Sequence, residues 1–300
     1  MSKPFFSIIV PTYNRAHLIT PTILSLQKQQ YDQYEIIIVD DGSTDNTEEV
    51  VSNIADARTL YYKKENAERA AARNFGGRMA KGDYLNFFDS DDLALENHLS
   101  EAAKMVAENK SPEWFHLGFA WATPEGKIFR RIDNFRGDTL NHLFMEGNPL
   151  GVAGVFLRKD IFDGLPFIED RALAASEDYE LWVRMAARYP LPYTNTVTSL
   201  LVDHEDRSVR TMQADKLITR LNSLVHYLGK DPAVREKFKK RFHYLVAEAD
   251  FYIALHLAPF KRFKANSIRY LFKAIGNDPF VLGKRRMLAT LRDLVFKWYK

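Results

Sequence analysis

The chain predicts an α/β fold, a doubly wound and mostly parallel sheet filling its first two-thirds, followed by a basic helical C-terminal region. Three observations carry this. Short continuous runs of β-branched and aromatic residues alternate with helically spaced segments. Acidic or turn residues follow several of those runs at once. The charge also reverses along the chain: from Lys216 onward there are 19 Lys+Arg against 6 Asp+Glu, a balance of +13 that leaves −10 for residues 1–215.

Residues 5–10 (Phe-Phe-Ser-Ile-Ile-Val) and 34–39 (Tyr-Glu-Ile-Ile-Ile-Val) read as strands buried on both faces. Between them Leu18, Ile19, Ile23 and Leu26 are spaced for a helix over 16–29, and Thr44-Asp45-Asn46 offers N-caps for a second helix reaching Val51. A strand over 59–63, a helix over 67–80, a Gly82-Asp83 turn and a strand over 84–88 continue the alternation. Asp40-Asp41 and Asp89-Ser90-Asp91-Asp92 both fall at C-terminal strand ends, where sheets of this kind bind ligands. Beyond about 110 the rhythm loosens: 114–121 and 127–131 look like a strand pair around Pro124-Glu125-Gly126, and 151–157 like another strand. Residues 176–189 look like a helix opened by a Ser cap with Glu177 and Asp178 in its first turn, and 194–202 like a strand. Past Asp215 the pattern is helical, with one apolar stripe at Phe238, Phe242, Leu245 and Ala249 and another at Leu288, Leu291, Val295 and Trp298.

With no cysteine there is neither a disulfide framework nor a Cys-based zinc site, which fits a reducing compartment. The apolar stretch 5–10 stops at Pro11, too short for a signal-peptide core, and the longest apolar segment, 244–260, is broken by Glu248, Asp250, His256 and Pro259. The expected location is cytoplasmic, with any membrane contact confined to the surface.

Asp89 and Asp91, two apart at a buried strand end, can converge on one hard cation such as Mg²⁺ or Mn²⁺, which completes its shell with water and phosphate oxygens. Alone, the same cluster serves equally as a helix cap. Its company is more specific. Val10-Pro11-Thr12-Tyr13-Asn14-Arg15 follows the first strand, Asp40-Asp41-Gly42-Ser43-Thr44-Asp45 the second, and Ala72-Arg73-Asn74-Phe75-Gly76 lies in the third helix ahead of Gly82-Asp83-Tyr84-Leu85. In this order and spacing the segment resembles the family 2 glycosyltransferases of GT-A fold, strongly over 5–95 and moderately to about 205.

That resemblance implies a catalytic domain over 1–212, with a nucleotide-sugar half (1–110) and an acceptor half (111–212), ahead of a basic helical region over 213–300. By position, Pro11, Thr12, Tyr13 and Arg15 would lie along the donor nucleotide, Tyr13 against the base. Asp41 would accept a hydrogen bond from the base ring, favouring uridine or thymidine diphosphate donors. Arg69, Arg73, Asn74, Asp89 and Ser90 would line the same pocket, Asp89 reaching ribose or metal and Asp91 holding the Mn²⁺ or Mg²⁺ that bridges the phosphates. His204 would join the metal or the diphosphate, as a neutral imidazole is able to do, or else be structural. Arg207 and Arg210 would cover the phosphates.

Transfer needs a base for the acceptor hydroxyl. Ser176-Glu177-Asp178-Tyr179-Glu180-Leu181-Trp182 resembles the family's Glu-Asp motif, which makes Asp178 the base of a single-displacement, inverting reaction. Glu177, about 100° away on the helix, cannot share that role. Glu177 and Trp182 stand as acceptor or diphosphate contacts, with a packed Trp182 the alternative. No Gln-x-x-Arg-Trp sequence is present, which favours addition of a single sugar over polymerisation.

In the tail, Phe238-Lys239-Lys240-Arg241-Phe242, Lys261-Arg262-Phe263-Lys264 and Lys284-Arg285-Arg286 alternate cations with apolar residues. Three outcomes stay open: helices lying on the inner face of the cell membrane near a lipid-linked acceptor, helices packed on the catalytic domain, or a homodimer contact. No nucleic-acid motif accompanies the charge. Two rival functions stand, one an enzyme with the same nucleotide fold and one a binding module of another class. A sugar nucleotidyltransferase would carry a glycine-rich loop where Pro11 to Arg15 has no glycine, and a receiver-like sensing module would have no use for a second acidic centre at 177–178. The expected partners are a nucleoside-diphosphate sugar and a glycan or lipid-linked acceptor, as in surface polysaccharide synthesis.

Overall fold

The computed structural model describes residues 3–137, 139–205 and 214–296. Arg207 and Arg210 lie outside the described residues. Two compact units share the chain: Met1–Asn141, Leu150–Arg171 and Tyr189–Arg207 form one, and His142–Pro149, Ala172–Arg188 and Ser208–Lys300 the other.

The first unit is an α/β sheet in the order β3-β2-β1-β4-β8-β6-β9-β5. Strands β1 (Phe6–Thr12) and β2 (Tyr34–Asp40) are buried at almost every position, as expected of strands covered on both faces. With β3 (Thr59–Lys63) and β4 (Tyr84–Phe87) they pair in parallel. Register sets Thr12 opposite Asp40 and Ile9 opposite Phe87, so the strands end side by side. Two further backbone bonds extend this edge, Asp41 N to Thr12 O at 2.8 Å and Phe88 N to Ile9 O at 2.9 Å.

Beyond β4 the sheet is mixed. Strand β8 (Val155–Arg158) runs against both β4 and β6 (Trp114–Ala122), while β9 (Tyr193–Val202) is parallel to β6. Strands β6 and β9 therefore point the same way as β1 to β4, and the residues after Val202 emerge at the same sheet end as Asp40 and Asp89. Short β5 (Leu93–Ala94) pairs antiparallel with β9, and β7 (Ile128–Ile132) with β6.

Helices α1 (Ile19–Gln27), α2 (Thr47–Ile54) and α3 (Glu68–Met79) occupy the expected crossovers. Helix α3 packs very closely on the sheet: a Cβ at Gly76 would stand 2.4 Å from Ile9 Cγ2 and 3.1 Å from Val39 Cγ2. Only glycine permits that approach, which carries Arg73 and Asn74 of the same helix into the interior.

Some elements differ from expectation, among them the short β5 and α5 (Lys159–Gly164), which no pattern announced. Helix α4 (His98–Glu108) lies outside the expected elements, although its buried His98, Leu99, Ala102, Met105 and Val106 follow helical spacing. The strand expected over 151–157 begins only at Val155, because Val152–Gly154 forms a 3₁₀ turn. Gly154 there presses on β6, and a Cβ would sit 2.5 Å from the Leu117 carbonyl oxygen. Helix α5 (Lys159–Gly164) follows β8.

The second unit is helical: α6 (Glu177–Arg188), α7 (Ala214–Lys230), α8 (Pro232–Lys237), α9 (Phe242–Leu257), α10 (Lys264–Asn277) and α11 (Arg285–Phe296). Ala247, Phe251 and Ala254 of α9, Leu271 and Ala274 of α10, Val281 and Met287 form one core. The stripe through Phe238, Leu245 and Ala249 is buried as its spacing suggests, with Phe242 partly so. The stripe through Leu288, Leu291 and Val295 is exposed, and Trp298 lies outside the described residues; α11 packs instead through Met287, Thr290 and Asp293. Among the described residues no helix is long and apolar enough to cross a membrane.

Candidate active site

The loops at the C-terminal ends of β1, β2, β4 and β9 bring together most of the residues singled out in the sequence. After β1, the Thr12 hydroxyl is buried without a hydrogen-bond partner, and the Tyr13 ring stands half exposed. Asn14, at φ 52°, ties this loop to the next: its Oδ1 accepts from Thr44 N at 2.8 Å, and its own N–H donates to Ser43 Oγ at 2.8 Å. Arg15 is held by its backbone N–H to Thr47 Oγ1 at 3.2 Å.

After β2, Asp40 accepts from Ser43 N at 2.7 Å and from the Tyr61 hydroxyl. Burial, together with that bond to a buried carboxylate, pushes the Tyr61 phenol up. Asp41 is nearly buried, and its carboxylate accepts from Lys64 Nζ at 2.7 Å and Ala67 N at 3.0 Å. A carboxylate can accept further donors, but Asp41 reaches any ligand as an already paired group. Gly42 turns the loop at φ +85°.

Helix α3 contributes from beneath. Arg73 is buried and donates through Nη2 to Asp89 Oδ1 at 2.8 Å, its guanidinium 5.5 Å from the Phe167 ring centroid. Asn74 is equally enclosed: its amide donates to Phe167 O at 2.9 Å and Glu169 Oε1 at 2.8 Å, and its Oδ1 accepts from Phe167 N at 3.0 Å. Both side chains are committed to protein partners, one to a carboxylate of the site and one to the segment 167–169. Arg69, by contrast, is only partly buried.

Ligand oxygens of Asp89, Asp91 and Asp92 lie within 4.8 Å of one another, and Ser90 between them is buried. Asp92 faces inward and accepts from Val202 N at 3.0 Å, which locks the end of β9 to this loop. Asp91 and Asp89 are partly accessible. His204, just past β9, brings Nε2 to 3.0 Å from Asp91 Oδ2, while its Nδ1 is buried without a partner. Two partly open carboxylates converging at this spacing, with an imidazole alongside, fit a divalent cation of the Mg²⁺ or Mn²⁺ kind by donor chemistry.

Asp178 belongs to the second unit, in the first turn of α6. It is partly buried and accepts from the Asn148 amide at 3.3 Å, while the neighbouring Tyr179 hydroxyl donates to Phe144 O, so the segment 142–149 is fastened to the helix start. Ala175 enters this helix at φ 69°, a conformation that strains a residue with a Cβ. Glu177 is almost fully buried and Trp182 completely so, which makes both part of the packed face of α6; the core reading of Trp182 is the one realised. Glu180 and Arg184 form a buried pair at 2.7 Å, and burial raises the Glu180 carboxyl despite that partner.

No motif or periodicity marks Lys64 as the partner of Asp41, Asn148 as that of Asp178, or Phe167 and Glu169 as those of Asn74. These partners come from loops without periodicity, and nothing short of the fold relates them.

The model of Glycosyl transferase family 2 matches residues 7–113. An uncharacterized glycosyltransferase of Haemophilus influenzae is 32% identical over 171 residues, covering 56% of this chain and 67% of the relative. The Escherichia coli UDP-Glc:alpha-D-GlcNAc-diphosphoundecaprenol beta-1,3-glucosyltransferase WfgD is 32% identical over 186 residues, 61% of this chain and 70% of the relative. Three Rickettsia glycosyltransferases are much longer, and the chain covers 26, 44 and 30% of their lengths. Among solved structures, S. aureus TarS 1-349 in complex with UDP-GlcNAc superposes with a TM-score of 0.65 at 16% identity, over 99% of this chain and 93% of that one. The mannosyltransferase PcManGT from Pyrobaculum calidifontis, in complex with GDP-Man and Mn²⁺, gives 0.59 at 18% identity over 99% and 88%. With two relatives above 30% identity matched over two-thirds of their length, and the GT-A architecture in place, the chain belongs to glycosyltransferase family 2.

Proposed function

We propose that the chain is a metal-dependent, inverting glycosyltransferase that moves one sugar from a nucleoside diphosphate donor, uridine-linked by preference, to a glycan or lipid-linked acceptor in surface polysaccharide synthesis. The observation that carries the reading is the grouping of Asp89, Asp91 and His204 at the C-terminal strand ends, beside the unpartnered Thr12 hydroxyl and the open Tyr13 ring. Support for the donor class comes from TarS with UDP-GlcNAc and PcManGT with GDP-Man and Mn²⁺, and for a lipid-linked acceptor from the activity in WfgD's name.

In this reading residues 1–212 act as the catalytic domain and 213–300 as a basic helical region, the protein working on the cytoplasmic face of a membrane. Pro11, Thr12, Tyr13, Arg15, Asp41, Arg69 and Ser90 meet the nucleotide. Asp89, Asp91 and His204 would hold Mn²⁺ or Mg²⁺, which would supply positive charge to offset that of the diphosphate leaving group. Arg73 and Asn74 position: Arg73 fixes the rotamer of Asp89, and Asn74 fixes the segment 167–169. Asp178 takes the proton of the acceptor hydroxyl as its oxygen bonds to the anomeric carbon and the bond to the diphosphate oxygen breaks, so the anomeric configuration inverts.

The test is incubation with UDP-glucose, UDP-GlcNAc and GDP-mannose, each with Mn²⁺ and a diphosphate-lipid acceptor. Release of one nucleoside diphosphate with a glycosylated acceptor is expected. No release from any donor, with or without acceptor, would contradict the reading.

A further inference from the structure

The C-terminal part of the second unit exposes large apolar side chains on consecutive elements. Phe272 on α10, Phe280 and Leu282 in the turn Pro279–Gly283, and Leu288, Leu291 and Val295 on α11 are between 45 and 79% exposed. On α11 the three lie on one side of the helix, at i, i+3 and i+7, next to the side that packs through Met287 and Thr290. Scattered single apolar residues on a surface are ordinary; six large ones on three consecutive elements are not.

Charge identifies what fits this surface. Between Ala258 and Phe296 the sequence has nine Lys and Arg against two acidic residues, Asp278 and Asp293. Both acids are buried: Asp278 caps the 3₁₀ turn by accepting from Phe280 N, and Asp293 pairs with Arg292 at 2.8 Å. The cations Arg269, Lys273, Arg285 and Arg292 are exposed and sit beside the apolar residues, Arg269 and Lys273 flanking Phe272, Arg285 and Arg292 flanking Leu288 and Leu291. The ionised groups this stretch exposes are therefore of one sign. A symmetric contact with a second copy would set cation against cation. Leu, Val and Phe without a stacking groove do not suit nucleic acid. Large apolar side chains ringed by cations do suit a bilayer surface with anionic headgroups, where the hydrocarbon side chains enter the acyl boundary and Lys and Arg stay at phosphate level.

We infer that α10, the turn at Pro279–Gly283 and α11 form a monotopic membrane-binding surface selective for anionic lipid. The inference gives a structural basis to the membrane-surface element of the proposed function and rests on that reading for its purpose, but vesicle binding is measured without nucleotide or acceptor, so the two fail separately.

The experiment is flotation of the full chain with vesicles of phosphatidylglycerol and phosphatidylethanolamine, and with vesicles of phosphatidylcholine alone. Wild type is expected to float with the anionic vesicles and about tenfold less with phosphatidylcholine. L288E/L291E, exposed positions that leave the packed face of α11 intact, is expected to lose anionic-vesicle binding by at least about tenfold with an unchanged circular dichroism spectrum. R285E/R269E is expected to lose the anionic preference. Failure of wild type to float with either vesicle overturns the inference, as does retention of binding by L288E/L291E. A wild-type dimer in light scattering that the same double substitution splits would assign the surface to a second copy and overturn it equally.

Discussion

Arg73 donates to Asp89 at 2.8 Å from a side chain that is only 2% exposed, so one carboxylate of the candidate metal site is anchored from within the core. The close packing of α3 at Gly76 places that guanidinium, and the Phe167 ring backs it. Removing the cation leaves Asp89 with an uncompensated charge at the edge of the interior. Arg73→Met is expected to destabilise the fold by about 3 kcal/mol, read as a fall in the denaturant midpoint. Arg73→Lys keeps the charge but not the planar fork, and should keep most of the stability while weakening metal-dependent UDP binding about tenfold. An unchanged midpoint in Arg73→Met would show that the pair anchors nothing.

Asp178 is assigned to proton removal alone, so its loss should separate chemistry from binding. Asp178→Asn keeps the size and can still meet Asn148. It is expected to lower kcat by about 10²–10⁴-fold with UDP affinity unchanged. Equal loss of kcat and nucleotide affinity would place Asp178 in the donor site instead.

Two buried histidines make the first unit acid-sensitive. His98 and His116 are fully buried, and burial lowers each imidazole from its usual range to about 3. His98 is held neutral in a defined tautomer. Asn86 donates its amide to Ala153 O and Val155 O, so its Oδ1 accepts from His98 Nε2 at 3.2 Å, while Nδ1 accepts from the Thr198 hydroxyl at 2.9 Å. A depressed folded-state pKa means that the stability is present above the unfolded value, near 6.5, and is lost as pH falls toward 3. Between pH 7 and 5 each histidine should cost about 2 kcal/mol. Chemical denaturation at the two pH values checks this, and a midpoint independent of pH over that interval would contradict it.

Much of this architecture could be read from the residues, and the reasons for the exceptions are physical. The strand over 59–63 and the helices around 68–79 and 177–188 lie where run length and periodicity put them, because burial imposes that pattern locally. Helix α4 begins on the buried polar His98, a few residues past an acidic cluster and the short β5, and no apolar run announces it. The 3.0 Å contact of His204 with Asp91 joins residues 113 apart. Motif resemblance nominated both, but the contact itself follows from the reversal at β8, which returns β9 to the sheet end that carries Asp89 and Asp91. The stripe at Leu288, Leu291 and Val295 shows the reverse limit: periodicity marks an apolar face without saying what covers it.

Metal-dependent nucleotide binding at Asp91 tests the central claim most directly. Calorimetry would compare UDP, CDP, GDP and TDP, with Mn²⁺ and after chelation, on wild type and on Asp91→Ala. Binding of UDP or TDP that requires Mn²⁺ and is lost in Asp91→Ala is the expected result. Metal-independent binding to all four nucleotides, or binding to none, would contradict the account.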